Sequence, residues 1–418
     1  MRPHPPINRS ARQHRAPNAH WVLVLVTGSW LFLLTGCTVF TSPVRPPADE
    51  QTLPAAVQAS LAKAPDDGCE DVTGVIHVHT HDSHDAHGTF EDLVRVANAQ
   101  RLDYVVITEH NTLKGLREGR QGWHGMTLVL IGEELSTRGG HYLALNITQE
   151  IDYHKLTTQE VIDEVNRQGG LGFIAHPYFK KRRWTEWTVS GFTGIEAYNV
   201  AHDTLDENRV RLGMWLLMVP NEAFYFSILD RPYDPLHRWD ELILRHGRVV
   251  GIGSCDAHEF HLMGVKFAPY EDMFRLARTH LLIPTTHASG EQDSPSHVSL
   301  TDSAVYEALR EGHAYFSVEL TAPARGFTFV AKDASGLLGI MGDEITWRAG
   351  LRLAVWLPSP GAITLMWNGQ PMSSTTAQTW EMPVKLPGVY RIEVMRHDKP
   401  WIFSNPIYVH PAPEPVEG

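Results

Sequence analysis

Between Val72 and His258 seven short apolar runs alternate with amphipathic segments: VTGVIHVHT, LDYVVITEH, TLVLIGEEL, HYLALNI, LGFIAHP, GIEAYN and VVGIGSCDAH. Runs this apolar are what parallel strands buried on both faces require, whereas strands with one wet face alternate apolar and polar residues. The intervening segments carry helix signals. Thr89 precedes Phe90, Glu91 and Asp92 as an N-cap with an acidic first turn, and Gly169 and Gly170 stop the helix that begins near Thr157 and Thr158. The alternation predicts an α/β domain, barrel-like or doubly wound.

Polar residues sit at particular places in these runs. His77 and His79 close the first, His110 the second, Glu134 the third and His176 the fifth; His141 opens the fourth, and Asp256 and His258 end the last. His84 and Asp85 follow in the first loop, both as candidate ligands. Carboxyl ends of parallel strands form the face where α/β sites are built, because loops converge there from every strand. One strand histidine alone is usually a satisfied core residue. Imidazoles and carboxylates at one end of so many strands are instead a donor set for divalent cations, and the absence of cysteine argues against a closed structural zinc site. In a strand of period two, His77 and His79 point the same way, and Glu133 points away from the face that Glu134 serves, as a supporting or structural group.

The charge balance excludes one class of partner. Against 36 Lys and Arg stand 48 Asp and Glu, a net charge of −12, which does not suit a general nucleic-acid binder. The 24 histidines agree with metal binding. At the N-terminus, Arg2, Arg9, Arg12 and Arg15 precede an apolar run from Trp21 to Leu34, shorter than the roughly 20 residues that span a bilayer. Residues 1–36 read as a signal peptide. Its end, Leu34-Thr35-Gly36-Cys37, resembles the bacterial lipoprotein processing box, which implies lipid attachment at Cys37. Thr38 rather than Asp then implies sorting to the outer membrane, facing the periplasm. Residues 37–70, rich in Pro, Ala and polar side chains, read as a flexible tether. A disulfide between Cys69 and Cys255 is not expected, because Cys69 precedes the first strand and Cys255 sits at the working end of the last.

Near residue 318 the pattern changes to short strands split by Pro and Gly, with Asn368-Gly369 as a hairpin signal. Residues 318–410 therefore predict an all-β, immunoglobulin-like sandwich, and 411–418 a disordered tail.

The set HxH, TEH, GEE, AHP and DAH, in this order, resembles the PHP (polymerase and histidinol phosphatase) metallohydrolases over roughly Asp71 to Phe260, and more weakly to Ser317. The resemblance implies a distorted (β/α)7 barrel over residues 71–317, two or three divalent ions (Zn, Mn or Fe) and hydrolysis of a small-molecule phosphoester. It also implies ligand roles: His77, His79, Glu134 and Asp256 for a first ion, Glu134 bridging to a second with His141 and His176, and Asp85, His110 and His258 for a third. Glu109 stands where the family commonly has Asp, so the support of His110 is expected to differ. Cations sharing a water would make a bridging hydroxide the nucleophile. Ser83 and Cys255 have no dedicated base at a recognisable spacing. His258 and His261 are the candidate acids. Arg138, Tyr178, Lys180 and Asn199 are candidate substrate contacts, and Trp184, Trp187 and the run from Trp215 to Phe226 either form a lid for an aryl leaving group or pack ordinarily. The ending PWIFSNPIYV resembles the carbaryl-hydrolase-like branch, which implies carboxylic or carbamic esters as an alternative. A non-catalytic metal-binding envelope lipoprotein is the competing class.

Overall fold

The computed structural model describes residues 67–200, 221–262, 265–285 and 300–413. The signal segment with Cys37, nearly all of the tether, residues 215–220 and residues 414–418 lie outside them. The protein is mixed α/β, built on one large sheet. All seven apolar runs form strands: β1 Cys69–Val78, β2 Tyr104–His110, β3 Thr127–Ser136, β4 His141–Leu145, β5 Leu171–Ile174, β6 Gly194–Asn199 and β7 Val250–Ser254. The helices that matter below are α1 Phe90–Ala99, α2 Thr158–Arg167, α3 Asn221–Ile228, α4 Tyr233–His246 and α5 Asp302–Glu311. Thr89 caps α1 by accepting from Asp92 N, and Thr157 and Glu160 form a capping box on α2.

Strands β1, β2 and β3 are parallel, as are β5, β6 and β7. Contrary to the expectation of seven parallel strands, β4 runs antiparallel to both β3 and β5. The reason is the connection: Ser136 pairs directly with His141, and a parallel crossover needs a dozen or more residues. The reversal has a chemical consequence. His141 opens its strand, yet it lies at the same end of the sheet as Glu134 near the close of β3.

Strand β1 starts earlier than the sequence suggests. Its polar first residues, Cys69 to Asp71, pair in register with Pro284 to Leu282 of β8 (Arg278–Pro284), so residues 69 and 70 belong to the sheet rather than to the tether. Cys69 thus opens β1, while Cys255 Sγ lies 3.8 Å from the His77 carbonyl near its close. At about 3.3 Å per residue the two sulfurs are far apart, and no disulfide joins them.

Alternate strand residues feed two different cores. Tyr104, Val106, Leu143, Leu145, Val250 and Ile252 pack on one face together with α5, whereas Val105, Ile107, Tyr142 and Ala144 pack on the other with α1, α2 and α4. Burial on both faces is why these runs lack a polar period. A parallel bridge between Val78 and Ala257 brings the ends of β1 and β7 together.

Strand β9 (Ala314–Ser317) pairs with β8 and with Lys399–Ser404, so the sheet runs unbroken into the C-terminal strands. These are antiparallel apart from one parallel pair, Glu344–Thr346 with Ile407–His410, and enclose a third core around Phe329, Val355, Ile392 and Trp401. Asn368 and Gly369, at φ 48° and 75°, make the two-residue turn between Arg352–Trp367 and Gln370–Pro383.

Candidate metal centre

The centre begins at the end of β1. The pairing of β1 with β2 is irregular between Ile76 and Val78, and His77 stands at the bulge with φ 66°. His79 follows the strand, its N donating to the Ala257 carbonyl at 2.9 Å. A regular two-residue period therefore does not explain why the two imidazoles converge; a bulge that re-aims one side chain does. His77 Nε2 lies 3.2 Å from Glu134 Oε2 and 3.3 Å from Asp256 Oδ1, and His79 Nε2 lies 3.3 and 3.4 Å from the same oxygens. All four atoms are buried without a hydrogen-bond partner. Leaving that many polar atoms unsatisfied in a core is costly, and a divalent cation among them would satisfy all four.

Glu134 also serves the other side. Its Oε1 is 2.5 Å from His141 Nδ1 and 2.9 Å from His176 Nε2, and its Oε2 is 3.1 Å from His110 Nδ1. Asp85 reaches His110 Nε2 at 3.3 Å through Oδ2 and His258 Nε2 at 3.6 Å through Oδ1. His84 stands beside Asp85 with most of its side chain in solvent, yet these two and His110 offer atoms close enough to share an ion, so both candidates of the first loop stay at the site. Three of the converging residues, His77, His176 and Asp256, have φ of 66°, 24° and 47°. Strained backbone of this kind costs of order 1–3 kcal/mol per residue and persists where the surroundings impose it.

Buried partners fix the imidazole tautomers. Glu196 Oε1 lies 2.6 Å from His77 Nδ1, and its Oε2 accepts from His176 N at 2.5 Å and Asn199 Nδ2 at 3.0 Å. Ser83 Oγ donates to Glu109 Oε2 at 2.5 Å and accepts from His110 N at 2.9 Å, which leaves it to accept from His79 Nδ1, 3.1 Å away. His77 and His79 therefore carry their protons on Nδ1 and turn Nε2 lone pairs toward Glu134 and Asp256, the arrangement a metal-ligating imidazole requires. Glu109 acts on the 80–83 loop, taking Thr80 N and Oγ1 at 2.9 and 2.6 Å, rather than on the His110 ring.

The electrostatics are those of a cation site. Burial alone would raise the Glu134 carboxyl, but His77 and His141 overcome it and hold the group well below the usual range; Asp256 is lowered in the same way, against its burial, by His77 and His79. Burial opposes charge on His79, yet the Asp256 and Glu134 oxygens that face its Nε2 raise it to about 9. The carboxylates thus demand positive charge, from protons or from metal. Burial pushes the Cys255 thiol up to about 12, which disqualifies it as a nucleophile.

A cavity of about 430 Å3 opens onto Glu134, Asp256 and His258. Its remaining wall is partly apolar, with Phe179, Tyr225, Phe260 and Met273, and partly cationic, with Lys181 and Arg182. Phe260 stacks on the His258 ring at 5.5 Å. Other residues singled out in the sequence fall elsewhere. His261 lies outside this wall, its Nε2 3.0 Å from Glu259 Oε1. Arg138 is exposed and Lys180 lies next to the residues that do line the cavity. Tyr178 accepts from Arg238 Nε at 3.3 Å at a small crevice behind His176, and Asn199 is buried there as a support for Glu196. Trp184 is buried against Tyr142 and Trp187 lies beneath Arg238, so neither tryptophan forms a lid on the cavity. Glu133 is buried apart from the cluster, accepting from Ile151 N at 3.3 Å, and burial pushes it up to about 8. Sequence reasoning missed Glu196, although a carboxylate inside the buried run GIEAYN was a signal that something charged faces it.

Fold and site together define a mixed α/β protein with a histidine- and carboxylate-rich candidate metal centre. No family model matches the chain. A 136-residue stretch, 32% of the chain, is 28% identical to 79% of the uncharacterized protein MJ1587 of Methanocaldococcus jannaschii. Among solved structures, the chain is similar to a two-domain protein of Bacteroides vulgatus described as containing a predicted PHP-like metal-dependent phosphoesterase, at 15% identity and TM-score 0.39 over 83% of this chain and 97% of that one. It is also similar to PsfC of Pseudomonas syringae, at 12% identity and TM-score 0.38 over 60% and 94%.

Proposed function

We propose that the protein is a metal-dependent hydrolase of ester bonds, with phosphoric esters as the leading substrate class. The observation that carries this reading is the convergence of His77 Nε2, His79 Nε2, Glu134 Oε2 and Asp256 Oδ1, buried and unpartnered, beside an open cavity. His77, His79, Glu134 and Asp256 would hold one divalent ion; Glu134, His141 and His176 a second; Asp85, His110 and His258 a third. Such ions, Zn, Mn or Fe, would supply Lewis acidity toward an ester oxygen and water acidified toward neutral pH.

The chain's own residues do the rest. Glu196 and Ser83 keep the Nε2 lone pairs of His77 and His79 turned inward, and Glu134 ties the two halves of the cluster through its two oxygens. Lys181 and Arg182 offer charge to an anionic ester, and the apolar residues of the same cavity would exclude water from its alcohol part. His258 donates from Nδ1 to the Asp256 carbonyl at 2.9 Å, so its Nε2 would serve the third ion beside Asp85 or, with only two ions bound, would carry the proton for a leaving group. The apolar wall also favours carboxylic or carbamic esters of apolar alcohols as a second reading. The same proposal includes a distorted (β/α)7 barrel, supported by the meeting of β1 and β7 at Val78 and Ala257, and an immunoglobulin-like C-terminal sandwich. On its N-terminal sequence the protein is proposed to be an envelope lipoprotein anchored through Cys37.

The test is elemental analysis of purified protein together with aryl phosphate and aryl carboxylate panels, before and after chelation and with Mn or Zn restored. Metal-dependent turnover of phosphates supports the leading reading, and turnover of carboxylates alone the second. Bound metal without turnover of any ester would leave a non-catalytic metal-binding protein.

A further inference from the structure

The C-terminal strands touch the cavity at one remove. Helix α3 carries Tyr225 into the cavity wall while its neighbours Phe224 and Phe226 are buried in the adjoining core. Where α3 ends, Lys399 of the C-terminal sheet donates from Nζ to the Ser227 carbonyl at 3.1 Å and the Leu229 carbonyl at 2.8 Å. A helix leaves its last carbonyls without intrahelical donors, and a cation there satisfies them and suits the negative end of the helix dipole. The same ammonium lies 6.0 Å from the centre of the Phe226 ring.

Two further ion pairs, each with two hydrogen bonds, hold the segment after α3 to the same sheet. Arg231 binds Glu393 through Nε and Nη2 at 2.7 and 2.8 Å, and Arg391 grips Asp240 of α4 at 2.7 and 2.6 Å. At the other end of α3, Glu222 meets Arg275 Nη2 at 3.4 Å, two residues from the cavity-lining Met273. The helix is held at both ends, and its C-terminal end is held by the C-terminal sheet.

We propose that the C-terminal sheet is a frame for the cavity wall, with Lys399 as a positioning residue that sets Tyr225 against the bound substrate. The sheet then completes the site instead of serving as a separate binding module. This inference rests on the reading of the cavity as the substrate site.

The test is a double-mutant cycle on the full, metal-reconstituted chain, read as the Kd of phenylphosphonate, a probe with a non-hydrolysable bond, and as KM and kcat on any ester it turns over. Lys399→Met keeps the aliphatic stem and removes the ammonium. It is expected to weaken the probe about fivefold and raise KM with little change in kcat, and Lys399→Arg to restore both. Tyr225→Ala should weaken the probe by a similar factor, and the double variant should bind no worse than Tyr225→Ala alone. Losses that multiply in the double variant, or an unchanged Kd in Lys399→Met, would overturn the frame. Should the wild type bind the probe with this coupling and hydrolyse no ester, the frame stands and the hydrolase reading fails; a wild type that does not bind the probe overturns both.

Discussion

Glu196 Oε1 lies 2.6 Å from His77 Nδ1, with both side chains fully buried. The contact decides which nitrogen of His77 carries the proton, and so whether Nε2 has a lone pair to offer beside Glu134 and Asp256. Glu196→Gln keeps the shape and removes the charge. The predicted outcome is a fall of about 10- to 100-fold in metal affinity, the usual cost of losing a buried carboxylate behind a ligating imidazole. Equilibrium competition with a chelator measures it; unchanged affinity would show that Glu196 does not orient the ligand.

Removal of metal should cost stability as well as activity. A ligand at 100 times its Kd stabilises the folded state by about 2.7 kcal/mol, so chelated protein is predicted to unfold several degrees below metal-loaded protein. Because Glu134 faces His77, His79, His110, His141 and His176 through two oxygens, Glu134→Ala should abolish the metal-dependent part of that difference. Thermal unfolding with and without added Mn checks it: a variant still stabilised as much as the wild type would refute the bridging role.

Sequence and structure agree where local chemistry decides and part where tertiary geometry does. The seven apolar runs become strands because burial on both faces leaves no other composition, and the Asn368-Gly369 turn is legible because few other pairs adopt its two positive φ values. The direction of β4 depends on the length of one connection, which strand composition does not reveal. In the same way, Lys181 and Arg182 rather than Arg138 and Lys180 line the cavity, because the turn after His176, with Phe179 N bonded to the His176 carbonyl and Arg182 N to the Phe179 carbonyl, sets which side chains face inward. Glu196 lay hidden for a related reason: its partners His77 and His176 are near only once three strands meet.

The contact between α4 and the C-terminal sheet is an ion network out of water. Arg391, fully buried, binds Asp240 with two parallel bonds and Glu393 with a third at 2.6 Å, and its guanidinium lies over the Trp239 ring. Removing one partner strands a charge in the core. Asp240→Ala is therefore predicted to destabilise the protein by about 3–5 kcal/mol, while the exposed pair of Lys155 with Asp152, screened by solvent, can be lost with little change in stability. Denaturant unfolding of the two variants side by side tests the contrast; equal losses would mean that the buried network adds nothing beyond its surface counterpart.

A second buried cluster predicts how stability follows pH. His280, on β8, has Nδ1 2.9 Å from Asp71 Oδ1 and Nε2 3.0 Å from Ser317 Oγ and 3.5 Å from Glu319 Oε1. Burial lowers the imidazole's pKa, but Asp71 and Glu319 more than offset it and leave it raised; the same contacts hold Asp71 and Glu319 low against their own burial. A histidine whose folded pKa is raised stabilises fully below its unfolded value of about 6.5, and that contribution is lost as pH rises through the folded value. The two carboxylates behave oppositely: their contribution is present above the ordinary carboxyl range and is lost as pH falls below it through their lowered folded values. In His280→Gln the imidazolium contribution is gone at every pH. The stability gap between wild type and variant should therefore be wide at pH 6 and narrow as the solution becomes alkaline, a trend that chemical denaturation at pH 6 and pH 9 reads directly. A gap of constant size would mean that His280 is neutral in the fold and that Asp71 and Glu319 find their compensation elsewhere.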